Sequence, residues 1–244
     1  RIRIASNLTE KNAWVDLGVM PALTEKKVAL PARFISSTAG VAGSKRTAQV
    51  TLAASDGTVL STLSVDLATV SSTEPRVITR ISTIDGSAQY YALVPSTANS
   101  ANGDPIPGIL FSLHGANNEA SEAAEGIAPK KEAHVVCPTG RRSSHGFVWE
   151  DWGCIDFTEA FAHARANLVN DQRRSWLTGH CMGGSGTWLL GVRFPSEFAA
   201  IAPTAGFVYD FIPSGATLAS IAPAEDPAEG MLVGVGRASC VLSI

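Results

Sequence analysis

The run Ser175-Trp-Leu-Thr-Gly-His-Cys-Met-Gly-Gly-Ser-Gly-Thr-Trp188 constrains this chain more than any other segment. A β-prone stretch, Ser175–Thr178, leads into Gly179-His180-Cys181-Met182-Gly183 and then into a helical pattern. The arrangement is a Gly-x-nucleophile-x-Gly elbow with cysteine at the nucleophile position. A strand that turns sharply into a helix strains the backbone at its apex, and glycine at the flanking positions lets the two elements approach closely. The free N–H groups of the helix's first turn favour a thiolate at the apex and, later, an oxyanion. The competing reading, a buried structural cysteine beside a helix-packing glycine pair, is outweighed by the flanking strand, the helix and a second motif.

That second motif is Phe111-Ser-Leu-His-Gly-Ala116, at the end of the apolar run Ile106–Leu113. A His-Gly turn placed there offers a backbone N–H to a substrate carbonyl oxygen, paired with the N–H that follows the nucleophile. The expected donors are Ala116 or Gly115 together with Met182. Losing one such donor costs about 3–4 kcal/mol of transition-state stabilisation.

The chain of 244 residues has two textures. Residues 1–75 read as a small β-sandwich-like module, with Ala48–Ala53 and Val59–Val65 joined by Ser55-Asp56-Gly57-Thr58, a type I′ hairpin signal. Ser71-Ser72-Thr73-Glu74-Pro75 reads as a linker. Over residues 76–244 a second hairpin, centred on Asp85-Gly86, precedes strand-like runs at Ile106–Leu113, His134–Cys137, Ser175–Thr178, Ala199–Ala202 and Met231–Val235. Between them Phe157, Phe161, Ala164 and Leu168 mark one helix face. Strand–helix alternation predicts an α/β fold with parallel strands and crossover helices.

With 19 Lys+Arg against 22 Asp+Glu and no basic stripe, nucleic acid is not an expected partner. No apolar run reaches the ~18–20 residues of a membrane span. The start Arg1-Ile-Arg-Ile-Ala-Ser6 lacks a methionine and an apolar signal core, so it reads as a mature or trimmed end, with the protein placed outside the cytoplasm. Cys137, Cys154, Cys181 and Cys240 have no metal-ligand spacing, and no cofactor is expected.

From Ile106 to Phe207 the motifs Leu113-His114-Gly115, Val136-Cys137-Pro138-Thr139-Gly140, Trp149-Glu150-Asp151-Trp152-Gly153, Leu177-Thr178-Gly179-His180-Cys181-Met182-Gly183-Gly184 and Phe194-Pro195-Ser196-Glu197-Phe198 resemble α/β-hydrolases of the prolyl-oligopeptidase-like esterase group, whose cores are similar to those of feruloyl esterases and polyhydroxyalkanoate depolymerases. The resemblance covers less than half the chain. It implies acyl transfer on a small-molecule or polymer-linked ester, with peptides a further class. The family carries serine at the elbow. Cys181 departs from that pattern, although dienelactone-hydrolase-like members are similar in using cysteine.

The resemblance also implies a triad in the order nucleophile, acid, histidine. All five histidines, His114, His134, His145, His163 and His180, precede Cys181. The alternatives are a truncated or frame-altered product, a fragment, or a catalytically silent relative acting as a binding protein, with His145 as an unconventional base the least expected. Turnover is therefore expected to be poor. His134 is read at a strand edge and His163 on an exposed helix face. His114, Trp149, Glu150, Trp152 and His180 are candidate substrate contacts, with core packing the alternative for the tryptophans and helix capping for Glu150-Asp151. Asp156 is expected to begin the following helix.

Overall fold

The computed structural model describes residues 2–6, 14–23, 43–141 and 149–207. His145, Cys240 and the expected strand at Met231–Val235 lie outside them. The chain divides into two compact units, the first within 1–72 together with 83–88, the second within 73–82 and from 89 onward.

In the first unit, β1 (Ile2–Ser6), β2 (Val15–Gly18), β3 (Lys45–Ala54) and β4 (Val59–Ala68) form an antiparallel sheet in the order β2-β1-β3-β4. Among the described residues it is a single layer, where a sandwich had been expected. The β3–β4 turn also differs from the type I′ expectation. Gly57 alone has positive φ, at 97°, while Ala54 N–H donates to Thr58 O at 2.8 Å and Asp56 Oδ1 accepts from Thr58 N–H at 2.8 Å. The physical reason is local: the Asp56 carboxylate caps the turn from an ordinary conformation, leaving only glycine to take the left-handed step. The register shift between Leu52 and Ala53 absorbs the extra residue.

The second unit is α/β. Its elements are β5 (Arg76–Ile81), β6 (Ala88–Val94), β7 (Gly108–Leu113), α1 (Ala120–Glu125), β8 (Ala133–Pro138), α2 (Asp151–Asn167), β9 (Ser175–His180), α3 (Met182–Arg193) and β10 (Ala200–Thr204). The sheet order is β10-β9-β7-β8-β6-β5, with β7 parallel to β8 and β9, β9 parallel to β10, and β6 antiparallel to β8. From β7 the chain passes through α1 to β8 on one side; from β9 it passes through α3 to β10 on the other. The strand order therefore reverses between β7 and β9, and in open α/β sheets such a reversal opens a crevice at the carboxyl ends of the strands.

Period-two alternation loads both faces of this sheet. Tyr91, Leu93, Phe111 and Val136 join α2 and α3 in one core, while Ala92, Val94, Val135 and Cys137 meet α1 in another. The helical periodicity holds: Phe157, Phe161 and Ala164 pack inward from α2, and Leu168, its C-cap, closes the stripe. Phe111 lies 5.5 Å edge-on from Phe157 and 4.9 Å from Phe161. Burying each large apolar side chain contributes about 1.5–3 kcal/mol. Among the described residues no helix is long and apolar enough to cross a membrane.

Candidate active site

β9 ends at His180, and α3 starts at Met182 with Cys181 as its N-cap. Cys181 has φ 56° and ψ −119°. A non-glycine residue in that region carries strain of order 1–3 kcal/mol and persists only where its surroundings over-determine it. Here they do: Cys181 N–H donates to Thr204 O at 3.0 Å, and Cys181 O accepts from Ser185 N–H at 3.1 Å. The neighbouring glycines leave no room for substitution. A Cβ on Gly179 would strike the Gly183 backbone, one on Gly183 the Leu113 and His114 carbonyls, and one on Gly184 the Thr204 carbonyl.

Leu113 pairs with Gly179 across β7 and β9, which brings the His114-Gly115 turn to the elbow. A Cβ added to Gly115 would sit 3.3 Å from His180 O and 3.6 Å from Cys181 Cβ. The two motifs, more than sixty residues apart in sequence, thus meet in the crevice at the strand reversal. Cys181 is exposed there. The other described cysteines are buried, and burial pushes the Cys137 thiol up to about 12 and raises that of Cys154. A strained, exposed residue between a parallel strand and a helix N-terminus, beside a His-Gly turn, has the geometry that a Gly-x-nucleophile-x-Gly motif demands.

Several expected substrate contacts are not open to a substrate. Trp149 is 1% exposed, because the glycine at 186 lets its ring settle against α3; its Nε1–H donates to His114 O at 3.4 Å. His114 is 3% exposed, its Nδ1 2.9 Å from Gly115 O and its Nε2 2.8 Å from Thr139 O, so it braces its own turn. Glu150 is the N-cap of α2, without a side-chain capping bond, and Asp151 opens that helix. Trp152 is 37% exposed with the Arg141 guanidinium 4.8 Å over its ring. His180 is exposed at the end of β9, and Ala116 is half-buried. Met182, whose amide begins α3, has its side chain in the core.

Three further expectations are corrected or placed. Asp156 does not begin a helix: α2 starts five residues earlier, and Asp156 faces inward, fully buried, against the Arg80 guanidinium. Burial pushes its carboxyl up, while Arg80, the Thr139 hydroxyl, the Gly140 amide and Arg141 pull it back. His163 is half-buried rather than exposed, because Tyr91 below it offers a partner, with the hydroxyl 3.2 Å from Nδ1. His134, at the start of β8, accepts Ser96 N–H at Nδ1 (3.0 Å), and its Nε2 lies 3.2 Å from Val169 O.

The sequence reading missed a buried charge cluster. Arg80 from β5 meets Asp156 and, at 2.6 Å, Glu159; Arg141 donates to Ser82 Oγ at 2.7 Å, and Ser82 Oγ donates to Glu159 at 3.1 Å. Two signals were present. Arg80 shares its strand face with Ile78, and Asp156 stands in the apolar stripe of Gly153, Phe157 and Ala160.

No protein-family model matches the chain. Over 151 residues, 52% of the chain, it is 26% identical to an uncharacterized secreted protein of Arthroderma benhamiae, of which the match covers 16%. Among solved structures it is similar to a substrate-bound fluorophosphonate-binding serine hydrolase of Staphylococcus aureus (TM-score 0.46, 19% identity, 54% of this chain and 56% of that one). It is also similar to an S-formylglutathione hydrolase of Agrobacterium tumefaciens (TM-score 0.43, 19% identity, 52% and 56%). A ferulic acid esterase of Anaeromyces mucronatus is a third (TM-score 0.42, 15% identity, 54% and 57%). The matches span a little over half of each of these solved chains and a small part of the fungal protein.

Proposed function

We propose that this chain carries an acyl-transfer site for carboxylic esters, small or polymer-linked, with Cys181 as the nucleophile. The observation that carries the reading is the exposed, left-handed Cys181 held at the N-terminus of α3 against the His114-Gly115 turn. The thiolate attacks the ester carbonyl carbon, forming a C–S bond, while the carbonyl oxygen takes the negative charge toward the amides of Met182 and of Ala116 or Gly115. Collapse of that intermediate breaks the ester C–O bond, expels the alkoxide and leaves an acyl-cysteine for water to hydrolyse. The thiol proton passes to solvent, since no described histidine hydrogen-bonds to Cys181. Without a histidine to take the thiol proton or to activate the water that hydrolyses the acyl-cysteine, acylation is slow and deacylation slower. The name of the Arthroderma relative supports placing the reaction outside the cell.

A second reading, a non-catalytic pocket that captures its ligand without turnover, is favoured by the engagement of His114, His134 and His163 elsewhere. The experiment that separates the two is the time course with p-nitrophenyl acetate. A burst of nitrophenolate near one equivalent, absent in Cys181→Ala, followed by slow release, supports acyl transfer. No burst at any pH supports the pocket.

A further inference from the structure

We propose that Thr139 and Asp156 are positioning residues that hold the oxyanion turn, which deepens the acyl-transfer reading above and rests on it. The Asp156 carboxylate is sealed from solvent between Arg80 and the turn that leaves β8. Its Oδ2 accepts the Thr139 hydroxyl at 3.0 Å, and it also takes the Gly140 amide. Thr139 Oγ1 in turn accepts Arg141 N–H at 3.1 Å. Those bonds hold Gly140 and Arg141, both left-handed at φ 57° and 64°. The turn's product is the placement of the Thr139 carbonyl, 2.8 Å from His114 Nε2 and buried with it. The imidazole sits between this carbonyl and Gly115 O, which lies 2.9 Å from its Nδ1, and donates its N–H to one of the two.

The path from Asp156 to the peptide beside Cys181 therefore runs through one hydroxyl, one carbonyl and one ring. None of the three touches substrate. Their office is to keep the Gly115 and Ala116 amides at the place where the carbonyl oxygen arrives. Displacement of such donors by an ångström lowers rates by roughly a hundredfold.

Two reagents separate positioning from general damage. Iodoacetamide alkylates a thiol by displacement at carbon and needs no oxyanion donor; p-nitrophenyl acetate needs one. In Thr139→Val, which keeps the shape and loses the hydroxyl, the acylation rate of Cys181 should fall by about tenfold or more while its alkylation rate stays within about twofold. Thr139→Ser should restore acylation. If Thr139→Val does not fold, Asp156→Asn is read by the same ratio of acylation to alkylation. An unchanged ratio, or acylation and alkylation falling together, overturns the proposal. A wild-type protein that alkylates at Cys181 and never acylates there overturns the acyl-transfer reading itself, a distinct result.

Discussion

The carboxyl ends of β8 and β9 both leave the sheet through left-handed backbone, and they use it in opposite ways. Beyond β8, Gly140 and Arg141 turn over a buried lattice in which Arg80, Asp156, Glu159 and Arg141 meet one another and two hydroxyls. Beyond β9, a single strained residue presents an exposed thiol with backbone donors behind it. Strain enclosed by compensated charge is support. Strain that ends in an exposed thiol is, in the acyl-transfer proposal, the site. The two lie on either side of β7, joined through the His114 ring.

The sharpest way to break this contrast is at the elbow's glycines. Gly183→Ala places a methyl against the Leu113 and His114 carbonyls, which are backbone and cannot swing aside. It should forfeit the folded state of this unit at 25 °C, read as loss of the cooperative unfolding transition by circular dichroism. A well-folded Gly183→Ala with normal Cys181 alkylation would show that β9 and α3 need not approach so closely. Removing one member of the sealed lattice is next. Asp156→Ala leaves the buried Arg80 guanidinium with Glu159 as its remaining carboxylate and the carbonyl of residue 156, and urea denaturation should report a loss of about 3–5 kcal/mol. A loss under about 1 kcal/mol would mean that water reaches Arg80 and the cluster is not sealed.

The three described cysteines sharpen the comparison by chemistry. Cys181 should consume iodoacetamide in the native protein, whereas Cys137, its thiol pushed up to about 12, and Cys154, raised by burial, should react only on unfolding. Peptide mapping reads this directly, and label on Cys137 before Cys181 reverses the assignment.

The smallest expected effect is titration of two histidines far from the thiol. Burial lowers His134 and His163 below their ordinary value, so the unfolded chain binds the proton more readily than the folded one. Their contribution is present above about pH 6.5 and is lost as pH falls through the lowered folded values. Unfolding midpoints should therefore drop between neutral pH and pH 5, and the drop should shrink in His134→Gln, whose amide oxygen still accepts Ser96 N–H.

What was legible in the sequence follows the same division. The elbow was readable because backbone sterics demand glycine at Gly179 and Gly183, and a demand of that kind leaves a spelling; at Gly115 the fit is only tight, a Cβ falling 3.3 Å from His180 O. The period-two and helical patterns likewise gave β7, β8, β9, β10 and the inward stripe of α2. The lattice was not read because its members come from β5, α2 and the turn after β8, and no short spacing links them. Asp156 inside an apolar stripe and Arg80 on the strand face of Ile78 were its two local signs, and nothing in their spacing joins them. Trp149 reads in the sequence either as a substrate wall or as core packing, and the space that Gly186 vacates for its ring decides for the core.

The central claim is that Cys181 forms the acyl bond. Its most direct test is to quench the protein during the reaction with p-nitrophenyl acetate and map the acetylated peptides by mass spectrometry, across a range of pH. Acetyl on the peptide containing Cys181 is predicted, formed without the inflection near pH 6–7 that a histidine base gives. Acetyl confined to lysines or absent altogether, with Cys181 intact and still open to alkylation, would contradict the account.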